Sequence, residues 1–257
     1  MIAIQSYDSG LRRLFKKAIL RILPHAVSRR IQDLRAGRAG RPIGHVRFGD
    51  LRRLIPFSRH FGYDRGLPID RYYIENFLAR HAGAIQGRVL EIGDAAYTNR
   101  FGGARVTISD VLHVAPRRQA TIVGDLTQAD HIPSDTFDCI ILTQTLHLIF
   151  DVRRALQTVY RILKPGGVLL ATFPGITQID HGEWAESWYW NFTTRSSRRL
   201  FHEVFLPESC DIEAIGNVLV ASAFLYGLGV EELHREELDY NDRDYEFLIT
   251  ARAQKPR

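Results

Sequence analysis

Cysteine is scarce in this sequence, with only two among 257 residues, and methionine occurs once. Cys139 and Cys210 lie far apart, and neither has a CxxC or CxxH neighbour, so the spacing excludes a zinc finger or a similar structural metal site. Cys139 sits inside the apolar run Cys139-Ile140-Ile141-Leu142, where a buried, reduced thiol is expected, which points to a reducing compartment. No stretch approaches the roughly 18 apolar residues of a membrane span. The N-terminus lacks the apolar core and cleavage site of a secretory signal, so a cytoplasmic protein is expected. Internal repeats and low-complexity tracts are also missing. What is present is a globular composition, 45% apolar and 11% aromatic, enough for one large α/β domain with an appendage.

The net charge of +5 is unevenly placed. Residues 1–53 hold 13 Lys or Arg against 3 acids, whereas the remaining 204 residues hold 21 against 26. The basic character therefore belongs to an N-terminal arm, over about residues 1–60, and the body from 61 to 257 is mildly acidic. Within the arm, Leu11, Leu14, Phe15, Ala18, Ile19 and Ile22 recur at helical spacing opposite Arg12, Arg13, Lys16, Lys17 and Arg21. The pattern predicts an amphipathic helix over 9–23, capped by Ser9 and stopped by Pro24. That helix suits packing on the body, or contact with an anionic membrane surface or acidic partner. Nucleic acid is the weakest partner, because no interleaved aromatics accompany the charge.

The body alternates apolar strands with helices or loops. Strands are expected at about 88–93, 105–109, 120–124, 137–143 and 167–173, with late strands near 211–216 and 245–253. Helices are expected from Asp70 to Ala82, over 151–163 with Asp151 as cap, over Ser196–Val204, and across 217–238, within a substrate-loop and lid region spanning 175–243. Right-handed crossovers then give a doubly wound, mostly parallel, seven-stranded Rossmann-like α/β sheet with one antiparallel edge. Ligands of such sheets sit outside the carboxyl ends of the strands, where Glu91, Gly93, Asp94, Asp110, Val111, Asp125, Leu126, Thr143 and Gln144 are expected. A dinucleotide site would want GxGxxG facing pyrophosphate, but this turn reads Gly93-Asp94-Ala95-Ala96-Tyr97, and Asp94 would repel phosphate.

The ordered set Val89-Leu90-Glu91-Ile92-Gly93-Asp94, Asp110, Gly124-Asp125-Leu126, Phe137 to Gln144 and Leu163-Lys164-Pro165-Gly166-Gly167 resembles the class I S-adenosylmethionine (SAM)-dependent methyltransferases over roughly residues 70–175. The resemblance implies SAM as cofactor. Gly93 would admit the cofactor, Asp110 would accept both ribose hydroxyls, and Asp125 with Leu126 would face the adenine. Thr143 and Gln144 would lie near the methionine end. The usual ExGxGxG is altered, with Ala95 and Tyr97 in the second and third glycine positions. The link from Gly93 to Val106 is also short for a parallel crossover, so the first helix is expected to be truncated or replaced by a loop around Tyr97-Thr98-Asn99-Arg100, with Arg71, Tyr72 or Tyr73 holding the methionine carboxylate.

Methyl transfer to a hydroxyl needs a base, and histidine is suited to that task near neutral pH. His181, flanked by Asp180 and Glu183, and His147, after the fourth strand, are the candidates. The cluster Trp184 to Phe192 offers rings, Trp188 and Trp190 among them, that could stack on a sugar or roof the core. Tyr189-Trp190-Asn191-Phe192-Thr193 and Gly62 to Tyr73 resemble segments of bacterial methyltransferases associated with glycosyltransferases, with Asn191 in place of an arginine. The expected function is O-methylation of a sugar or glycosylated metabolite, in glycan or natural-product biosynthesis. The competing readings are an RNA methyltransferase that uses the arm, a non-catalytic partner protein with a SAM fold, and chemistry at the SAM site other than methyl transfer.

Overall fold

A computed structural model describes residues 44–257. The amphipathic helix expected over 9–23, and with it the membrane or acidic-partner contact, lies outside these residues. The chain divides into two units, 1–53 and 54–257. In the first, the described segment contains a short 3₁₀ turn, Gly49–Arg52. Among the described residues no helix is long and apolar enough to cross a membrane.

The second unit is built on one seven-stranded sheet. Its strands are β1 (Gly87–Ile92), β2 (Val106–His113), β3 (Ile122–Val123), β4 (Phe137–Thr143), β5 (Leu163–Pro174), β6 (Cys210–Ile215) and β7 (Leu248–Gln254). They lie in the order β3-β2-β1-β4-β5-β7-β6. β1 to β5 pair in parallel, and β7 runs antiparallel to both β5 and β6. The single reversed strand therefore lies one place inside the sheet, and not at its edge as the sequence suggested. Strand order reverses between β1 and β4, which opens a crevice at their carboxyl ends.

Five α-helices flank the sheet: α1 (Ile69–Arg80), α2 (Val152–Ile162), α3 (Thr194–Phe201), α4 (Val218–Leu225) and α5 (Arg235–Asp239). α2 forms because Val152, Ala155, Leu156, Val159 and Ile162 make one apolar stripe, and because the Asp151 carboxylate accepts from the Arg154 amide at 3.0 Å. α3 starts two residues earlier than expected, since Thr193 and Ser196 cap each other's backbone. The region 217–238 is two helices and not one. Asn217 caps α4 and also donates to the carbonyls of Glu237 and Tyr240, tying the two together.

Alternation along the strands sends side chains to two cores. Ile140 and Leu142 of β4 join Leu90, Leu156, Val159, Phe173 and Phe201 beneath α2 and α3. Cys139 and Ile141 face the other way and join Ile74, Phe77, Val89, Phe224 and Phe247 beneath α1 and α4. A strand covered on both faces needs the unbroken apolar run that β4 carries. Burying each Leu, Ile or Phe contributes about 1.5–3 kcal/mol. Burial also pushes the Cys139 thiol pKa up, so that it stays protonated. Among the described residues no group of three His, Cys, Asp or Glu is placed to hold a metal ion.

Candidate active site

A cavity of about 1270 Å³ opens at the carboxyl ends of the parallel strands. Glu91 and Ile92 at the end of β1 line it with Gly93 and Asp94 of the turn that follows, Leu112 and His113 at the end of β2, and Asp125, Leu126 and Thr127 after β3. Thr143 ends β4, Gln144, Thr145 and His147 follow it, and Pro174 at the end of β5 adds lining with Ile176, Thr177, Asp180, Trp184 and Trp188 after it. Single-ligand pockets usually occupy about 300–1000 Å³, so the volume suits a cofactor together with an acceptor.

The β1 turn is held by a side chain. Glu91, 2% exposed, accepts from the Tyr97 amide at 3.1 Å and the Thr98 amide at 2.7 Å. Burial raises its pKa, against the pull of these hydrogen bonds. It shapes the loop, which continues as one π-turn, Thr98–Gly102, in place of a full helix. The shortened first helix expected around Tyr97 to Arg100 is thus seen, and Glu91 organises the turn after β1 by accepting its amides. Gly93 has φ +93°, and a Cβ built there would point into open space with nothing within 4 Å. An L side chain would be strained in that backbone and would project into the cavity.

Asp110 departs from expectation. β2 continues three residues past it, and the paired registers Glu91↔Val111 and Ile92↔Leu112 bury it level with Leu90. Its carboxylate accepts from Arg88 Nε at 2.7 Å and Thr121 Oγ1 at 3.0 Å, and it does not line the cavity. Val111 is likewise buried in the strand and outside the lining, with its amide bonded to Thr121 Oγ1. The strand end belongs to His113, a residue the sequence reading passed over because an acid stood nearby. Asp125 does reach the cavity. One of its oxygens accepts from the Thr127 amide at 2.8 Å, which leaves the other for a ligand.

Tyr73 is also displaced from its expected place, since its hydroxyl is buried and donates to the Leu238 carbonyl. Arg71, two residues earlier on α1, does line the cavity, and its guanidinium donates to the hydroxyls of Tyr63 at 3.0 Å and Tyr97 at 3.2 Å. Asp70 lies 4.0 Å from it, and its buried Oδ1 has no hydrogen-bond partner. Burial opposes the charge on Arg71, but Asp70, Tyr97 and Tyr63 outweigh it and its pKa is raised.

Past β4, Gln144 is held at φ +46°, with its amide bonded to the Thr172 carbonyl at 2.7 Å. A non-glycine residue in that region stores about 1–3 kcal/mol, a strain that often marks functional loops. His147 is 3% exposed, lines the cavity, and keeps Nδ1 buried without a hydrogen-bond partner. Burial pushes its pKa down to about 4, so the imidazole is neutral at physiological pH. Its ring meets Trp188 at 4.5 Å, and Phe61 stacks on Trp188 at 6.0 Å and 9°. Phe61 arrives on a strap fixed by bonds from the Phe57 and Ser58 amides to the Tyr226 carbonyl. Nothing in the local sequence pattern announced that strap.

His181 is exposed and outside the lining, whereas its neighbours Asp180 and Glu183 are in it. The reason is a turn in which Asp180 accepts from the Gly182 and Trp184 amides, which directs the histidine away. Trp190 and Asn191 also lie outside. The Trp190 indole donates to the Ile149 carbonyl at 3.0 Å, and Asn191 Oδ1 faces the Trp188 indole at 3.5 Å. Of that aromatic run, Trp184, Trp188 and Tyr189 line the cavity.

Residues 93–171 match a family model described as a methyltransferase domain. The matched segment is less than a third of the chain and carries β2 to β4 and most of β5. Within the chain, 59 residues are 39% identical to the ubiquinone/menaquinone biosynthesis C-methyltransferase UbiE of Haemophilus ducreyi, over 21% of this chain and 23% of that protein. A 38-residue stretch is 53% identical to the Marinomonas protein of the same name, over 15% of each. The chain thus spans less than a quarter of the length of these curated relatives. Among solved structures, a SAM-dependent methyltransferase from Archaeoglobus fulgidus aligns with TM-score 0.49 and 12% identity over 72% of this chain and 94% of that one. A phosphoethanolamine N-methyltransferase of Haemonchus contortus, solved with S-adenosylhomocysteine, aligns with TM-score 0.48 and 14% identity over 82% and 55%.

The residues present fit SAM. Gly93 leaves room at the backbone, Asp125 has a free carboxylate oxygen, and Arg71 offers a cation beside Tyr97 of the β1 loop. The acids Glu91, Asp94 and Asp125 at the β1–β3 end suit a sulfonium better than a phosphate.

Proposed function

We propose that the chain is a SAM-dependent methyltransferase acting on a hydroxyl of a sugar or glycosylated small metabolite. The observation that carries the reading is one cavity lined both by Gly93 and Asp125, which follow β1 and β3, and by His147 and Trp188, which follow β4 and β5 across the reversal in strand order. SAM, when bound, supplies an electrophilic methyl group on a sulfonium. Asp125 accepts from the adenine amino group, and Arg71, oriented by Tyr63 and Tyr97, holds the methionine carboxylate through charge-assisted hydrogen bonds. Trp188, Tyr189 and Trp184 give the acceptor flat apolar faces, the kind of surface on which a sugar ring packs.

Among the described residues, His147 Nδ1 is the one buried side-chain nitrogen without a hydrogen-bond partner, and it accepts the hydrogen bond of the acceptor hydroxyl. Its low pKa makes full protonation costly, so it orients the oxygen and takes the proton only as attack completes. Transfer to carbon of an aromatic acceptor is the second reading, favoured by the C-methyltransferase relatives and by a Phe61–Trp188 stack able to extend over such a ring.

The test is incubation with methyl-labelled SAM and a panel of nucleotide sugars, glycosides, phenols and RNA. Label in a glycoside, lost in His147→Phe with SAM binding intact, supports the proposal. Label in a phenol carbon supports the second reading. Label in RNA, dependent on residues 9–23, transfers the assignment to nucleic acid. Binding without transfer to any of them favours a non-catalytic role.

A further inference from the structure

We propose that His113, in place of a carboxylate, holds the ribose hydroxyls of the adenosyl cofactor in this chain; the inference rests on the SAM reading above. Four observations meet on this residue. First, β2 ends at His113, between two neighbouring turns that both enter the cavity. The Gly93 amide donates to the Leu112 carbonyl at 3.0 Å, and the Gly124 amide donates to the His113 carbonyl at 3.0 Å. His113 therefore stands between Gly93 on one side and Asp125 on the other, and lines the cavity with both.

Second, the only acid within β2, Asp110, lies three residues back and is occupied by Arg88 and Thr121. Third, His113 Nδ1 accepts from the Ala115 amide at 3.0 Å. An acceptor at Nδ1 puts the proton of the neutral ring on Nε2, so the free end of the imidazole is a hydrogen-bond donor. Fourth, Asp94, which also lines the cavity, spends Oδ1 on the Ala96 amide at 2.8 Å, so it has one oxygen left and not the pair that takes both hydroxyls.

The chemistry differs from that of a carboxylate in a way an experiment can read. A carboxylate accepts from both vicinal hydroxyls at once, whereas Nε2–H donates to a single oxygen and leaves the other hydroxyl to solvent or to the backbone. Recognition of the ribose is then lopsided, with one hydroxyl mattering and the other nearly silent. Removing the ring loses one neutral hydrogen bond, a change of about threefold to tenfold in affinity.

The experiment is calorimetric titration of the full chain with S-adenosylhomocysteine and with its 2′-deoxy, 3′-deoxy and 2′,3′-dideoxy forms. Wild type, His113→Ala, His113→Gln and His113→Asp are compared, with thermal unfolding as the folding control. Expected are a threefold to tenfold loss in His113→Ala, partial retention in His113→Gln, and binding by His113→Asp at least as tight as wild type. The loss in His113→Ala should vanish for the dideoxy ligand. In wild type one deoxy form should weaken binding and the other should not. Unchanged affinity in a folded His113→Ala, or an equal loss for the ribose and dideoxy ligands, overturns this inference while leaving the cofactor reading standing. Failure of wild type to bind S-adenosylhomocysteine overturns both.

Discussion

Replacing Asp110 by alanine removes a carboxylate that is 7% exposed and accepts two hydrogen bonds, from Arg88 Nε at 2.7 Å and Thr121 Oγ1 at 3.0 Å. The bond from the guanidinium is charge-assisted and is worth about 1.5–3 kcal/mol, and the hydroxyl bond adds about 1 kcal/mol. Part of the first is recovered, because the Arg88 side chain is 38% exposed and regains water once released. The hydroxyl of Thr121 keeps the Val111 amide as a donor at 2.9 Å, so it is not left wholly unpaired. The net cost is about 2–3 kcal/mol, or roughly 4–12 °C in Tm for a unit of this size. Cofactor affinity should not change, since the carboxylate lies outside the cavity. Denaturant unfolding followed by titration with S-adenosylhomocysteine separates the two quantities. Full stability with a tenfold weaker Kd would refute the reasoning and return Asp110 to the ribose.

Arg71→Ala should weaken SAM and S-adenosylhomocysteine alike by about 1.5–3 kcal/mol, with little effect on 5′-methylthioadenosine, which has no carboxylate; equal losses for all three would reject the assignment. Asp125→Ala should reduce binding of both cofactor forms, and titration with the inosine analogue, whose base lacks the amino group, should show no further loss in that variant. Because burial lowers His147 from 6.5 to about 4, the unfolded chain takes up that proton first as pH falls. Its contribution is therefore intact above pH 6.5 and is lost toward pH 4, by about 3 kcal/mol at the lower end. His147→Gln should flatten that part of the pH–stability curve, and an unchanged slope would contradict the burial argument. Trp188→Ala should raise the KM for the acceptor while SAM affinity holds, as measured by steady-state kinetics beside calorimetry.

The strands were legible because each buried run, β4 above all, needs apolar side chains on both faces and carries them. The turn glycine and Asp125 were legible too, since a positive φ and a strand-end acid leave marks in the local sequence. The end of β2 was not. Ser109-Asp110 reads as a strand terminus, yet the ladder continues because Arg88 and Thr121 satisfy the carboxylate inside the sheet, and partners that distant are invisible in a local pattern. His181 failed for the opposite reason. Its neighbourhood of acids looked like a site, but Asp180 spends its oxygens on the loop backbone and sends the ring outward. The Phe57–Phe61 strap depends on a carbonyl at Tyr226, far along the chain, so only the fold reveals it.

The central claim is that the cavity at the ends of β1–β4 binds SAM. The direct measurement is calorimetric titration of the purified chain with SAM and with S-adenosylhomocysteine. The account predicts one saturable site of micromolar affinity for each, lost or much weakened when Gly93→Val fills the turn in a protein that still unfolds cooperatively. A folded wild-type chain that gives no binding to either ligand, or a Gly93→Val variant that binds both as tightly as wild type, would contradict it.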